Sequence, residues 1–209
     1  MATLQEQDQD QDQVTVATLH GGKETKENDA TFLIDAVSTQ LRSGLDEGRS
    51  KVMPHLLSML MHASRRQDAE VVEDILSACW RYHKDESLSF RLEQGTRLLE
   101  AGKVDQAFLC FDALVELDPG WAEARAKRAT ACFYRGEYES CLDDAEEVLK
   151  EEPSHFTALT GRGRALYELG DYGRAIEGFE EALRINPWNG VIVYSLQKAK
   201  AKQLADSGS

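Results

Sequence analysis

The segment GKVDQAFLCFDALVELDPGWAEARAKRATACFYRG, residues 102–136, decides the fold because its pattern returns on both sides of it. Gly102, Gly136 and Gly170 follow one another at a period of about 34 residues, which is typical of a helix–turn–helix repeat. Three prolines keep the same spacing: Pro119, Pro153 and Pro187. Glycine is favoured where a turn needs a positive φ, and proline ends a helix. The pattern therefore predicts helix pairs, each with a glycine turn inside it and a proline after it.

Small residues recur where the two helices of each pair would touch. They are Gly95, Ala129 and Gly163 in the first helices and Ala107, Cys141 and Ala175 in the second. A bulky side chain at such a contact would overpack it, at a cost of about 1–3 kcal/mol. We predict helices over residues 89–101, 104–117, 122–135, 138–151, 155–169 and 172–185.

The composition restricts the class of protein. The chain has 209 residues and a formal net charge of −13, which argues against a nucleic-acid-binding surface. No run reaches the roughly 18 apolar residues of a membrane helix, so we expect no membrane insertion. The start, MATLQEQDQDQDQ, lacks the basic and apolar regions of a secretory signal and is too acidic for a typical transit peptide. We therefore expect a cytoplasmic protein, with an organellar location left open.

The region before the repeats predicts a tail and about three helices. Residues 1–28 have few apolar positions, so we expect a disordered acidic tail. A first helix follows Asp29, with Leu33, Val37 and Leu41 at helical spacing, and loosens near Gly48.

The second predicted helix has Pro54 in its first turn, where a missing N–H is tolerated. Its apolar residues are Leu56, Leu57, Leu60 and Met61, with Met53 and Met59 beside them. We interpret the methionines as adaptable core packing, with a docking surface as the alternative. Asp68 is the predicted N-cap of the third helix, which runs to about residue 84. Its predicted buried stripe is Val72, Ile75, Leu76, Cys79 and Trp80.

A stack of helix pairs leaves an apolar face at each end that other residues must cover. We expect the N-terminal helices to cover the front, with the third packed on the first repeat helix. A last helix, residues 190–204, would cover the back through Val191, Val193, Leu196 and Ala199. The predicted domains are a tail over 1–28, a helical extension over 29–86, repeats over 88–121, 122–155 and 156–189, the last helix, and a disordered end over 205–209.

Residues with catalytic chemistry form no recognisable set. The four cysteines have no C-x-x-C spacing, and we interpret them as buried reduced thiols, with a Cys132–Cys141 redox pair as the alternative. The five histidines lie in no metal motif, and no phosphate-binding glycine loop is present. We therefore expect neither an enzyme nor a cofactor or metal.

The repeated pattern resembles the tetratricopeptide repeat family. The resemblance implies a right-handed α-solenoid of three helix pairs that binds a protein or peptide in its concave groove. The runs 111–130 and 152–159 also resemble small bacterial and plant members without an assigned activity. In that group a tryptophan-bearing helix, here the helix with Trp80, precedes the first repeat.

The resemblance places recurrent side chains of each first helix in the groove. The candidate partner-binding residues are Thr96, Lys127, Thr130, Phe133, Tyr134, Arg164 and Tyr167. Two cations beside aromatic rings suggest an extended peptide with an acidic or C-terminal carboxylate and an apolar anchor. The alternative is that Lys127 and Arg164 pair with Glu93 or Glu168 and bind nothing.

The clamp that family members use for chaperone tails is absent. Its positions hold Leu92, Thr96, Lys127, Thr157 and Gly161 instead of the expected Lys, Asn and Arg. We therefore predict a non-enzymatic adaptor, co-chaperone or assembly factor that binds a different partner. One alternative is a structural subunit held by the N-terminal helices, marked by an exposed Met- and Leu-rich face on residues 53–61. The other is an enzyme, marked by a deep pocket with a histidine beside a carboxylate.

Overall fold

The computed structural model describes residues 45–207, with side chains from residue 52 to residue 206, and all regular structure in that part is helical. The predicted acidic tail and the helix predicted after Asp29 lie outside it. The helices are α1 Leu45–Met61, α2 Arg66–Arg81, α3 Glu86–Glu100, α4 Val104–Leu117, α5 Ala122–Arg135, α6 Tyr138–Glu151, α7 Phe156–Glu168, α8 Tyr172–Ile185 and α9 Gly190–Ser207. None of them is both long and apolar enough to cross a membrane.

Helices α3 to α8 form the predicted stack, in which each helix packs on the next. Four of their six spans have the predicted bounds, and α3 begins three residues early. Asp85 causes this early start, because its side chain accepts a hydrogen bond from the backbone N–H of Ser87 at 2.9 Å. Gly102, Gly136 and Gly170 have φ values of 72°, 79° and 85°, so the turns need glycine as predicted.

Close helix contacts explain two of the small residues. A Cβ atom on Gly95 would lie 2.6 Å from Cε1 of Phe111, and one on Gly163 would lie 2.7 Å from Cε1 of Phe179. Both phenylalanines are fully buried. Glycine lets the two helices of these pairs approach until the ring fills the space between them.

The N-terminal hairpin, α1 and α2, differs from the sequence prediction at both starts. Pro54 lies inside α1 rather than in its first turn, and Gly48 is also helical. A helix tolerates this proline at the loss of one backbone hydrogen bond. The predicted N-cap at Asp68 was wrong, because α2 begins at Arg66 and Asp68 instead forms an ion pair with Arg65 at 2.8 Å. The predicted buried stripe of α2 is confirmed from Val72 to Trp80.

The position of the hairpin was also predicted wrongly. Among the described helices, α2 packs mainly on α1 and α5 rather than on α3, and α1 also contacts α8. The hairpin therefore does not cover the front of the stack. It lies along the turns that join one helix pair to the next, because those turns carry the side chains that bind it.

The last helix covers the back of the stack with a different stripe from the predicted one. Ile192 and Ala199 are buried and Leu196 is partly buried against α8 and α7, whereas Val191 and Val193 are exposed. Ile192, Leu196 and Ala199 are spaced by four and three residues, which places them on one helix face. Helix α9 continues to Ser207, beyond the predicted end.

Candidate functional site

The Arg164 cluster, formed by Phe133, Tyr134 and Arg164, lies between α5 and α7. The guanidinium carbon of Arg164 is 4.0 Å from the ring centroid of Phe133 and 5.6 Å from that of Tyr134. The two rings meet edge to face at 5.8 Å, and Tyr134 is 56% exposed. The structure therefore brings three of the predicted groove residues together as a cation on aromatic faces.

Arg164 forms no ion pair with any carboxylate in the described part of the chain, so the predicted pairing with Glu168 does not occur there. A guanidinium stacked on a ring uses its flat face and keeps its N–H groups in the plane of the group. Those N–H groups remain able to donate to an incoming anion.

Lys127 differs from Arg164 because a carboxylate already neutralises it. Its Nζ atom lies 3.4 Å from Oε1 of Glu123, one helical turn earlier, and its side chain is 27% exposed. The alternative interpretation pairs Lys127 with Glu93 or Glu168, whereas its partner is Glu123 and Glu93 pairs with Arg97. Lys127 is therefore a poor candidate for binding an external anion.

Lys198 is a second cation beside a candidate partner-binding residue, and the sequence prediction missed it. Its Nζ atom lies 4.4 Å from the ring centroid of Tyr167, and Tyr167 meets Tyr172 at 5.3 Å. Lys198 immediately precedes Ala199, which is on the buried face of α9. This position was the only signal for Lys198 in the sequence. Helix α9 thus adds a second stacked cation beside α7.

The predicted threonines direct their hydroxyl groups into their own helices. Thr96 donates to the carbonyl of Leu92 and Thr130 to that of Ala126, both at 2.9 Å. Both side chains are half-buried, so they line the groove without a free hydroxyl hydrogen. Glu93 and Glu100 of α3 and Glu168 of α7 are exposed, so the first helices of two repeats carry acidic side chains.

The turn edge is a second site, defined as the turns before α5, α7 and α9 together with α2. The indole N–H of Trp121 donates to the carbonyl of Trp80 at 3.2 Å, and the ring of His155 stacks on Trp80 at 4.1 Å. The amide of Asn189 donates to Oε1 of Glu73 at 3.3 Å. Trp121, His155 and Asn189 occupy the same position of successive repeats. Aligning the turns on the glycine period would have shown this series of polar side chains in the sequence.

Comparison with known proteins agrees with this architecture. A family model described as tetratricopeptide repeat matches residues 127–189. A TPR repeat-containing protein of Rhizobium etli is 26% identical over 114 residues, which cover 54% of this chain and 56% of the relative. The chain therefore contains tetratricopeptide repeats over residues 127–189. The matched part spans little more than half the length of that relative.

Solved structures show the same fold as this TPR protein. The first TPR domain of human RPAP3 superposes with a TM-score of 0.55 at 23% identity, over 58% of this chain and 96% of that one. The Sgt2 TPR domain from Aspergillus fumigatus gives a TM-score of 0.55 at 20% identity, over 59% and 83%. The first TPR of Spaghetti, solved with the HSP90 peptide SRMEEVD, gives 0.54 at 24%, over 57% and 94%.

The TPR protein does contain a histidine beside a carboxylate, the feature named above as the mark of an enzyme. His155 Nδ1 accepts hydrogen bonds from the backbone N–H of Ala158 at 3.2 Å and from the hydroxyl of Thr157 at 2.9 Å. Nε2 therefore carries the proton and donates to Glu123 at 3.2 Å. The His155 side chain is 0% exposed, so a substrate cannot reach it. This pair supports the fold rather than catalysis.

Glu123 remains ionised inside the protein because two partners hold it. Burial would raise the pKa of Glu123, but the hydrogen bond from His155 and the charge of Lys127 outweigh it and lower that pKa. At the first turn of the edge, His83 Nε2 donates to Asp118 at 2.9 Å, and this hydrogen bond lowers the pKa of Asp118.

No disulfide joins the four cysteines in the described residues. Cys79, Cys132 and Cys141 are buried, and Cys110 is half-buried. Burial raises the pKa of Cys132 to about 11 and that of Cys141 to about 12, so both remain protonated and unreactive at neutral pH. No group of residues in the described part could hold a metal ion.

The apolar side chains of α1 are divided between the interior and the surface. Met53, Leu56 and Leu60 are buried, whereas Met59 and Met61 are exposed. The continuous Met- and Leu-rich surface expected of a structural subunit is thus reduced to two methionines in the described part of α1.

Proposed function

We propose that this TPR protein is an interaction module that binds an extended peptide segment in the groove lined by α3, α5 and α7. The observation that supports this most strongly is the position of Arg164. Its charge lies on the rings of Phe133 and Tyr134 without a carboxylate partner among the described residues. Arg164 therefore keeps N–H groups that can donate to a carboxylate of a bound peptide.

The chemistry of the groove favours a partner with a carboxylate next to an apolar side chain. Arg164 offers planar N–H donors that match a carboxylate, and Lys198 adds a point charge beside Tyr167. The exposed ring of Tyr134 offers an apolar contact. Because the whole chain carries a net charge of −13, these two cations form a local exception that would select where an acidic peptide binds.

The partner we propose is not a chaperone tail. The Spaghetti domain was solved with such a peptide, but this chain shares its fold at only 24% identity. The clamp positions here hold Leu92, Thr96 and Lys127 in α3 and α5, and Leu92 is buried in the core. An adaptor or assembly-factor role fits this groove better than a co-chaperone role. The cytoplasmic location stays a prediction.

The test compares partners captured from native lysate by the wild-type protein and by Arg164→Glu. The control is Arg184→Glu on α8, where the arginine side chain is 68% exposed and lies outside the groove. Lys127→Glu is unsuitable, since it would place a second carboxylate beside buried Glu123 and unfold the protein.

We expect Arg164→Glu to lose a small set of proteins that the wild type and Arg184→Glu both retain, with the helical circular dichroism unchanged. Equal capture by all three proteins would overturn the groove assignment. Deleting α1 and α2 would then test the structural-subunit alternative.

A further inference from the structure

Gly161 lies in the interior of α7 without a packing reason for being glycine. A Cβ atom added there would meet no other atom within 4 Å. The helix-interior glycines Gly95, Gly163 and Gly178 differ, because a Cβ on each would meet a side chain or backbone of the neighbouring helix. Glycine is among the least favourable residues inside a helix, so an unpacked glycine destabilises α7 without improving any contact in the described structure.

Gly161 faces the groove. It shares a helix face with Thr157, one turn before it, and with Arg164, three residues after it. Arg164 extends across to the ring of Phe133 on α5, so this face of α7 is the one that looks onto the groove. The missing side chain therefore leaves the surface of α7 open at Gly161, about one helical turn from Arg164, and we call this opening the Gly161 notch.

The notch has an apolar surface although it exposes backbone. Residues 156–168 are helical, so their amide groups around Gly161 are hydrogen-bonded inside α7. The hydroxyl of Thr160 is likewise used, because it donates to the carbonyl of Phe156 at 2.7 Å. A partner would therefore find Cα–H groups at Gly161 rather than free hydrogen-bond donors.

We propose that the Gly161 notch receives a bulky apolar side chain, such as Leu or Trp, of the bound peptide, while a carboxylate of the same peptide meets Arg164. This inference rests on the proposed function and names the residue that determines its specificity. Bare helix backbone allows a partner to approach more closely than any side chain would. The cost of glycine to α7 would then be offset by binding.

The test uses the purified full chain and short glutamate-rich peptides with a fluorescent label and a free C-terminal carboxylate. Each peptide carries one variable residue, which is Trp, Leu or Ala. Separate peptide sets place this residue at successive positions. We expect the best Trp or Leu peptide to bind about ten-fold more tightly than its Ala counterpart, measured by fluorescence anisotropy. Gly161→Leu should remove this preference, because its side chain fills the notch.

The matched control is Gly190→Leu at the start of α9. Gly190 also has no atom within 4 Å of an added Cβ, but it lies away from the Arg164 cluster. Gly161→Ala should raise the melting temperature by about 2–4 °C, since alanine is the better helix former. If Gly161→Leu and Gly190→Leu keep the helical circular dichroism of the wild type and only Gly161→Leu loses the preference, unfolding cannot be the cause.

The possible outcomes distinguish the proposal about the Gly161 notch from the proposal about the groove. If Arg164→Glu abolishes binding but Gly161→Leu keeps the Trp or Leu preference, the notch is wrong and the groove stands. If both variants bind as the wild type does, both proposals are wrong. If no peptide binds the wild type, the proposed peptide chemistry and the notch are overturned, and lysate capture by Arg164→Glu still decides the groove independently.

Discussion

The turn edge and the Arg164 cluster use the same kinds of side chain in opposite ways. At the turn edge, Trp80 and His155 stack out of contact with solvent, and Glu123 is held by both His155 and Lys127. In the groove, Arg164 rests on Phe133 and exposed Tyr134 with no anion beside it in the described structure. Aromatic rings and charges complete the fold in the first region and leave binding capacity in the second.

This difference shows which contacts serve stability. The polar groups of the turn edge are nearly all paired, and the two buried exceptions among the described residues are Trp80 Nε1 and Asn186 Oδ1. A buried polar group without a partner is costly, so the edge is bound tightly enough to tolerate two of them. Among the candidate partner-binding residues, Tyr134 is exposed, whereas Phe133, Arg164 and Tyr167 are half-buried. We therefore expect their substitution to cost less stability than that of a fully buried residue of the turn edge.

The largest expected effect is that of Trp80→Ala at the turn edge. Removing this buried ring leaves a cavity beside His155 and Phe156, and we expect a loss of about 3–5 kcal/mol in the free energy of unfolding. Urea denaturation followed by circular dichroism measures it. The control Phe90→Ala removes a ring that is 58% exposed and should change stability by less than about 0.5 kcal/mol. Similar losses of stability for both variants would show that buried and exposed aromatic residues do not differ in their contribution to the fold.

Alanine substitutions at two glycines of α7 should change the stability of the protein in opposite directions. Gly163→Ala forces a methyl group against the buried ring of Phe179 and should cost about 2 kcal/mol. Gly161→Ala faces open space and should stabilise the protein by up to about 1 kcal/mol. Urea midpoints of the two variants against the wild type decide this. The same sign for both would mean that the two faces of α7 do not differ as described.

Glu123 should make stability depend on pH. Its pKa lies below the ordinary value of 4.5, so its contribution is full above that pH and is lost as the pH falls through the lower folded value. Glu123→Gln should cost about 1 kcal/mol at neutral pH and should weaken the loss of stability in acid. Urea denaturation at several pH values, with exposed Glu151→Gln as the control, measures this effect. A constant difference from wild type down through the acid range would show that Glu123 does not titrate with folding.

The smallest expected effect is that of Arg164→Gln. It removes one cation–aromatic contact and should cost about 0.5–1 kcal/mol in unfolding free energy. Thermal unfolding beside exposed Arg174→Gln provides the comparison. A loss as large as that of Trp80→Ala would place Arg164 among the residues that hold the fold together, and the contrast between the two regions would fail.

Local sequence patterns predicted the repeat helices correctly. The position of the hairpin α1–α2 was predicted wrongly because it depends on contacts between residues far apart in the sequence. Glycine turns and helix-ending prolines act within a few residues, so α4, α5, α6 and α8 have the predicted bounds. Glu73 and Asn186 meet although they are 113 residues apart, and no local rule connects them. The local rule for Pro54 also failed, since packing against α2 and α8 keeps α1 helical through it.

The groove residues were partly predictable for the same reason. Phe133, Tyr134 and Arg164 follow from the repeat position and meet as expected. The repeat pattern predicts that Lys127 is as accessible as Arg164. Glu123, which is buried one turn earlier, forms an ion pair with Lys127 instead. Lys198 belongs to α9, whose rotation about its axis depends on packing that the sequence pattern did not predict.

The contacts of α2 also affect how the repeats fold and how they can evolve. In a simple repeat array each unit contacts only its neighbours, so units can be added or lost and the ends can unfold separately. Here one helix of 16 residues, about 24 Å long, contacts the turns before α5, α7 and α9. The contacts are made by the carbonyl of Trp80, the ring of Trp80 and the carboxylate of Glu73. Removing or inserting one unit would leave Trp80 or Glu73 facing the wrong turn. The repeats whose turns contact α2 are therefore not interchangeable, and the length of α2 limits how many turns it can contact.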